Sequence, residues 1–412
     1  MSGINRPLAL VLSGGGARGA YEAGVMSYIR SQMPQVVRER PFDIITGASV
    51  GAINAAYLAS MSHEPQYQGS RLATLWRGLE EGQIYKRDAK ALMQFINKST
   101  TDLFKHIVFG VRKSHSHFNG LLDASPLLPF LTETIEWSQI QRNIRRGRTK
   151  ALALVATHVA TGRCQLFLNH HPDYHYSGRY GFYTHPIRPY HVLASASIPL
   201  VFPPIEINGD YFTDGGLRLN TPISPAIQLG AEKVLAISLA SKRSFAVEQM
   251  CMLPQEEEAS VTGQLLGTIM SGFFLDSVDG DIEQIDRINR VIEWSEAEFG
   301  DQYLPRINAM LERNEVTGDI ADRGLKRIEL LKIQPSVNLA ELFVECFEKS
   351  AKNNFTMFEK MLIRALDIDT VSGAEFLSYL MFNKLYLHRL VDLGFDDARA
   401  QHDKLLAFFE VD

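Results

Sequence analysis

Leu8-Ala9-Leu10-Val11-Leu12-Ser13-Gly14-Gly15-Gly16-Ala17-Arg18-Gly19 is the stretch on which the reading of the chain turns. An unbroken aliphatic run without polar alternation suits a short strand buried on both faces, the habit of parallel sheets. The run stops at a serine and three glycines, and Ala17 to Arg30 then reads as a helix. Glycines at such a junction let the backbone approach a ligand closely, and the unpaired N–H groups of a helix start point to one place. The junction therefore predicts an anion site. Dinucleotide enzymes hold a pyrophosphate there, and acyl hydrolases hold the oxyanion of a tetrahedral intermediate.

Further along, Phe42 to Thr46 predicts a second strand and Val50 to Ser60, rich in alanine, a second helix. Between them Gly47-Ala48-Ser49-Val50-Gly51 matches GxSxG in the strand-to-helix setting of a nucleophile elbow. Ser49 would then project at a helix N-terminus, where the macrodipole and the Val50 N–H favour developing negative charge. The alternative is a serine that merely caps the helix. A third constellation, Asp214-Gly215-Gly216, follows the turn-like Asn208-Gly209-Asp210 and could bring a carboxylate close to another loop or form an exposed turn.

Other buried strands are expected at Ala151 to Thr157, Arg163 to Asn169, Lys233 to Ser238 and Arg327 to Ile333. Their alternation with helical stretches predicts an α/β fold around a mainly parallel sheet. The expected organisation is a catalytic domain over 1–334, with helical insertions at about 67–125 and 245–325, and a helical C-terminal extension over 335–412. In the second insertion Ile282, Ile285, Ile288 and Ile292 recur at helical spacing and predict an apolar stripe.

Composition is that of an ordinary globular chain: 412 residues, 45% hydrophobic and 22% charged, with a formal net charge of −5. That charge offers no general attraction for nucleic acid. Cys164, Cys251 and Cys346 show neither CxxC spacing nor the density of a disulfide scaffold and suit a reducing, cytoplasmic compartment. The run after Arg6 is too short for a signal peptide, and the uncharged Val261 to Leu275 falls below the roughly 17 to 25 residues of a membrane span. No metal site is expected, because His158, His170, His171 and His175 lack HExxH or CxxC spacing.

The glycine loop also fits GxGxxG. A dinucleotide site would then need an acid closing the second strand, whereas Glu39 and Asp43 precede or begin it. A Ser-Asp-His triad of α/β-hydrolase type stays open in chain order, with His388 and His402 after Asp214.

Taken in order, the glycine loop, GxSxG, Ala194-Ser195-Ala196-Ser197-Ile198-Pro199 running into Phe202-Pro203-Pro204, and Asp214-Gly215-Gly216 with Asn220 and Pro222 resemble the patatin-like phospholipases. The resemblance covers roughly Arg6 to Leu239. It implies a three-layer fold of a central sheet flanked by helices, and a dyad of Ser49 as nucleophile and Asp214 as proton acceptor. It also implies an oxyanion hole built from Gly14, Gly15, Gly16 and Val50, with Arg18 at the family's basic position, and Gly47, Gly51, Gly215 and Gly216 as motif support. The substrate implied is a phospholipid or other acyl-ester lipid, cleaved without cofactor during transient contact with a membrane surface. Phe104, Ile107, Val108 and Phe109, or Leu265 to Leu275, are candidates to shield or dock the site. A non-catalytic lipid-binding module is the remaining alternative.

Overall fold

The computed structural model describes residues 6–86, 122–174, 176, 178–199, 201–240, 278–313, 324–351 and 371–410. Its strands are β1 Leu8–Leu12, β2 Ile44–Ala48, β3 Ala151–His158, β4 Cys164–His170, β5 Gly181–Thr184, β6 Ile205–Ile207, β7 Asp210–Asp214, β8 Lys233–Ile237 and β9 Glu329–Ile333. They form one sheet in the order β5-β4-β3-β2-β1-β8-β9, with β7 pairing with both β3 and β6. β1, β2, β3, β8 and β9 run parallel, as do β4 and β5, while β4 and β7 are antiparallel to β3. The sheet is thus mainly parallel. The chain leaves β1 toward β2 and later returns to β8 on its other side, so the glycine loop lies at the switch point where open α/β sheets bind ligands.

The helices are α1 Ala20–Gln32, α2 Gln35–Glu39, α3 Val50–Ser60, α4 Pro65–Gly78, α5 Leu127–Thr134, α6 Trp137–Arg145, α7 Pro189–Ser195, α8 Ile223–Gln228, α9 Val278–Phe299, α10 Tyr303–Arg313, α11 Leu339–Ala351, α12 Val371–Leu380, α13 Lys384–Ala400 and α14 His402–Phe409. Within each buried strand, alternate residues face opposite layers. Leu8, Leu10 and Leu12 join one core with α1, α3 and the C-terminal helices, whereas Ala9 and Val11 join a second core with α8 and α9. Three layers result.

Several elements differ from the sequence reading. The expected helix from Ala17 opens as a 3-10 turn over Gly16–Gly19, and only then becomes α1. β4 is antiparallel because the link from His158 to Cys164 is too short for a crossover. Asp214 is the last residue of a strand rather than a loop residue. In the isoleucine stripe Ile285 and Ile292 are buried, but Ile288 is exposed. Of the proposed shielding segments, Phe104, Ile107, Val108 and Phe109 lie outside the described residues, as do Leu265 to Leu275, most of the insertion at 67–125, His175 and Cys251.

The stretch expected as an extension shares the first core, through Phe343, Leu377, Tyr386, Leu390 and Phe408. α13 lies so close to α1 that a Cβ on Gly24 would collide with the Val391 carbonyl, and one on Gly394 with the Tyr21 carbonyl. Tyr21 Oη also donates to Asp397 Oδ2 at 3.0 Å. At the far end of the sheet Lys233, buried in β8, pairs with Glu410 at 2.8 Å and Glu329 at 3.4 Å. Gly24→Ala and Gly394→Ala are each expected to destabilise the whole protein by about 1–3 kcal/mol, as backbone contacts are forced apart. Urea unfolding checks this, and a native midpoint in both variants contradicts the close α1–α13 contact.

Candidate active site

The sheet itself brings the serine and the aspartate together. β2 pairs with β3 as far as Ala48 opposite Val155. β4 occupies the other edge of β3 from Ala151 to Thr157. β7 therefore shares the β2 edge, runs toward β2 and ends with Asp214 opposite Ala156. Two strands meeting head-on along one edge leave Ala48 and Asp214 facing consecutive residues of β3. Ser49 is the next residue after Ala48.

Ser49 has φ 53° and ψ −124°, outside the regions open to ordinary L-residues. Its neighbours explain how the turn closes: a Cβ on Gly47 would strike the Gly51 carbonyl, and one on Gly51 the Leu12 carbonyl. The Ser49 hydroxyl makes no capping bond to α3, so the helix-cap alternative does not describe it. Instead the Ser49 N–H donates to Ser195 Oγ at 3.1 Å, and Ser195 Oγ donates to the Val155 carbonyl. Ser195 thus ties the elbow to β3.

Two residues on, the Ser197 carbonyl accepts from the Asp214 N–H at 2.9 Å and from Thr213 Oγ1 at 2.7 Å. The segments bearing Ser49 and Asp214 both hang from the short stretch that ends α7. Asp214 is buried, and its Oδ1 accepts from the Gly216 N–H at 2.7 Å, which makes it also the cap of the turn Gly215–Leu217. Gly215 packs against the Val155 carbonyl, where a Cβ would not fit. Asp214 Oδ2 is buried without a hydrogen bond of normal geometry, and the Ser49 hydroxyl acts on the carboxylate from nearby. Burial pushes the carboxyl up to about 7, against the opposing pull of Ser49 and the Gly216 N–H. An ordinary aspartate near about 3.9 is a weak base for a serine hydroxyl; this one is better matched to neutral pH.

The glycine loop is anchored on both sides. The Gly14 N–H donates to the Asn220 carbonyl at 3.0 Å, and Asn220 Nδ2 donates back to the Gly14 carbonyl at 3.4 Å. The Ser13 N–H donates to Glu22 Oε1 at 2.8 Å, and Asn54 Nδ2 donates to Glu22 Oε2 at 2.8 Å. Burial raises the Glu22 pKa well above the ordinary value, against the pull of Asn54 and the Ser13 N–H. Beyond these anchors the Gly15 and Gly16 N–H groups have no hydrogen-bond partner among the described residues. They are the candidate oxyanion donors. Gly16 adopts φ +55° against the Tyr379 carbonyl, which leaves no room for a side chain. Arg18 belongs to the loop in sequence, but its guanidinium is engaged with α12, donating to Ser378 Oγ at 2.9 Å and pairing with Glu375 at 2.9 Å.

An apolar pocket opens at Ser49 and Gly16. Its wall along α3 is Val50, Ile53, Asn54 and Tyr57, one helical face that begins at the serine. Trp76, Leu131, Ile198 and Phe382 close it from other elements. The sequence reading missed this wall, the tie of Ser195 and the buried Glu22. Glu22 carried a signal, being a carboxylate within the otherwise apolar Ala20 to Val25.

The competing arrangements are not assembled. His388 Nε2 bonds the Arg77 carbonyl at 3.0 Å and His402 Nδ1 the Tyr28 hydroxyl at 2.9 Å, so neither histidine joins the Ser-Asp pair. Asp43 sits at the start of β2, accepting from the Leu8 N–H and pairing with Lys150, away from the glycine loop. His158 pairs with Asp210, and no group of three or more metal-ligating side chains occurs among the described residues.

With this geometry in place, comparison with known proteins decides the family. The patatin-like phospholipase family model matches residues 10–227, just over half of the chain. The chain belongs to the patatin-like phospholipase family. Two relatives named cGAMP-activated phospholipase, from Pseudomonas aeruginosa and Vibrio cholerae, are 28% and 26% identical over 54% and 53% of this chain. The matches cover 56% of each relative, so the chain spans about half the length of the curated relatives it matches. VipD from Legionella pneumophila is a looser structural likeness, with a TM-score of 0.38 and 12% identity over 98% of this chain and 68% of that one. The mainly parallel, three-layer sheet is the patatin fold, and the matched region contains the glycine loop, Ser49 and Asp214.

Were Asp214 the proton acceptor for an ester substrate, only its ionised form would serve, and kcat/KM would rise with pH and reach half its plateau near pH 7. The folded-state pKa lies above the ordinary 3.8, so ionisation costs the folded protein stability as pH rises from about 4 to about 7. Asp214→Asn is therefore expected to melt higher relative to native protein at pH 8 than at pH 4. A pH–rate midpoint near 4, with no such change in relative melting, contradicts a carboxyl whose pKa is raised by burial.

Proposed function

We propose that the protein is a lipid acyl hydrolase in which Ser49 attacks a carboxylic ester of a phospholipid and Asp214 accepts its proton. The observation that carries this reading is the meeting of β2 and β7 on one edge of β3, at the mouth of an apolar pocket. A Ser49 Oγ–carbonyl bond forms as the hydroxyl proton moves to Asp214. The Gly15 and Gly16 N–H groups, with Val50 at the head of α3, face the oxyanion. Collapse of the tetrahedral species breaks the ester C–O bond, and the leaving alcohol takes the proton from Asp214. Water then attacks the acyl-enzyme, giving its proton to Asp214. Collapse of this second tetrahedral species breaks the acyl–Ser49 Oγ bond, Asp214 returns its proton to Ser49 Oγ, and the fatty acid leaves. No metal or cofactor enters this cycle.

The pocket wall supports an acyl chain as the group held beside Ser49, since its lining is almost wholly apolar. An ester embedded in a membrane must be lifted to reach it, so contact with the lipid surface is transient and peripheral. No described helix is long and apolar enough to cross a membrane. Free Cys164 and Cys346 suit a reducing, cytoplasmic setting. The activation in the relatives' names is a property of those proteins. A lipid-binding module without catalysis would have no use for the strained elbow or the buried, unbridged carboxylate.

The test is a phospholipid and lysophospholipid panel assayed with native, Ser49→Ala and Asp214→Asn proteins, following fatty-acid release. Each substitution is expected to lower the rate about 1000-fold or more. Release that survives Asp214→Asn at the native rate overturns the dyad, and tight lipid binding with no release by native protein favours the non-catalytic module.

A further inference from the structure

We propose that α12 and the short link after it are a working part of the catalytic site: Glu375 and Ser378 hold the oxyanion loop through Arg18, while Tyr379, Leu380 and, just past the helix, Phe382 form the adjoining wall of the acyl pocket. The proposal rests on the Ser-Asp reading above. It assigns a role to a helix outside the residues that match the family.

Arg18 lies in the 3-10 turn Gly16–Gly19, and it is 1% exposed. Its Nε donates to Ser378 Oγ at 2.9 Å, and a terminal nitrogen pairs with Glu375 Oε1 at 2.9 Å. The guanidinium lies over the Tyr379 ring, 3.9 Å from its centroid. Ser378 Oγ in turn donates to the Glu375 carbonyl at 2.6 Å, which fixes the acceptor that Arg18 meets. A planar guanidinium bound in this way has one orientation, and the turn that carries it has little freedom to rotate. The next contact is direct: Gly16, a candidate oxyanion donor, packs its backbone against the Tyr379 carbonyl.

The same few residues continue into the pocket. Tyr379, Leu380 and Phe382 line it beside Ser49 and Gly16. Tyr85 Oη donates to the Leu380 carbonyl at 2.9 Å, and the Trp76 and Phe382 rings stack with centroids 6.4 Å apart. An acyl chain in the pocket therefore rests on the segment that braces the oxyanion loop. Glu375 and Ser378 do not reach the reacting atoms and are positioning residues. A small displacement of oxyanion donors costs rate more than binding, since their bonds tighten in the transition state.

The experiment measures kcat and KM for p-nitrophenyl butyrate and p-nitrophenyl palmitate in native, Glu375→Gln, Ser378→Ala, Ser378→Thr, Phe382→Ala and Ser49→Ala proteins, with melting curves for each. Glu375→Gln and Ser378→Ala are expected to lower kcat on both esters about 10- to 100-fold. Their KM values are expected to stay within about threefold of native, and Ser378→Thr to recover most of the lost kcat. Phe382→Ala is expected to raise KM for palmitate more than for butyrate. A helix that only glues the tail to the core would give folded Glu375→Gln and Ser378→Ala proteins with native kcat, and that result overturns the proposal. If Glu375→Gln does not fold, the milder Ser378→Ala and Ser378→Thr pair decides. Failure of the dyad itself shows separately, as ester cleavage by Ser49→Ala equal to that of native protein.

Discussion

The geometry of the site depends on one edge of β3. Val155 and Ala156 are paired on that edge with strands arriving from opposite directions, β2 carrying the elbow serine and β7 the aspartate. The Val155 carbonyl also accepts from Ser195, which holds the Ser49 N–H, and packs against Gly215. Sheet hydrogen bonds have fixed spacing, so the separation of Ser49 and Asp214 is set by backbone register and not by side-chain rotamers alone. In the proposed dyad, this register would take the place of a third residue that orients the base.

Burial does the electrostatic work. Asp214 is ionised only at a cost in an apolar setting, which raises its basicity, and only one of its oxygens has a firm hydrogen bond. A second buried acid, Glu22, stands beneath the glycine loop and is satisfied by the Ser13 N–H and Asn54. The contrast separates their roles. Glu22 has donors on both oxygens and serves as a fixed strut, whereas Asp214 has a donor on Oδ1 only, as the proposed proton acceptor requires.

Much of this was legible in the sequence where local chemistry leaves little choice. The aliphatic run of β1 and the alanine-rich α3 fall where their residues indicate, and GxSxG is dictated by collisions that any side chain at Gly47 or Gly51 would cause. The strand bearing Asp214 was read as a loop because β6 and β7 are short and carry Glu206, Asp210 and Thr213. A signal was nevertheless present: Asn208 and Gly209 both have positive φ and join Ile207 to Asp210, the two-residue hairpin turn that an Asn-Gly pair favours. The pocket wall from α12 and the close packing of α1 on α13 at Gly24 and Gly394 were not legible. They join residues hundreds of positions apart, and neither periodicity nor spacing encodes such a meeting.

The most direct test of a serine nucleophile governed by Asp214 is the rate and position of fluorophosphonate modification, read by peptide mass spectrometry. The account predicts a single adduct on Ser49 in native protein, formed at least about 100-fold more slowly in folded Asp214→Asn. An adduct on another residue, or a Ser49 rate that does not change when Asp214 becomes asparagine, would contradict it.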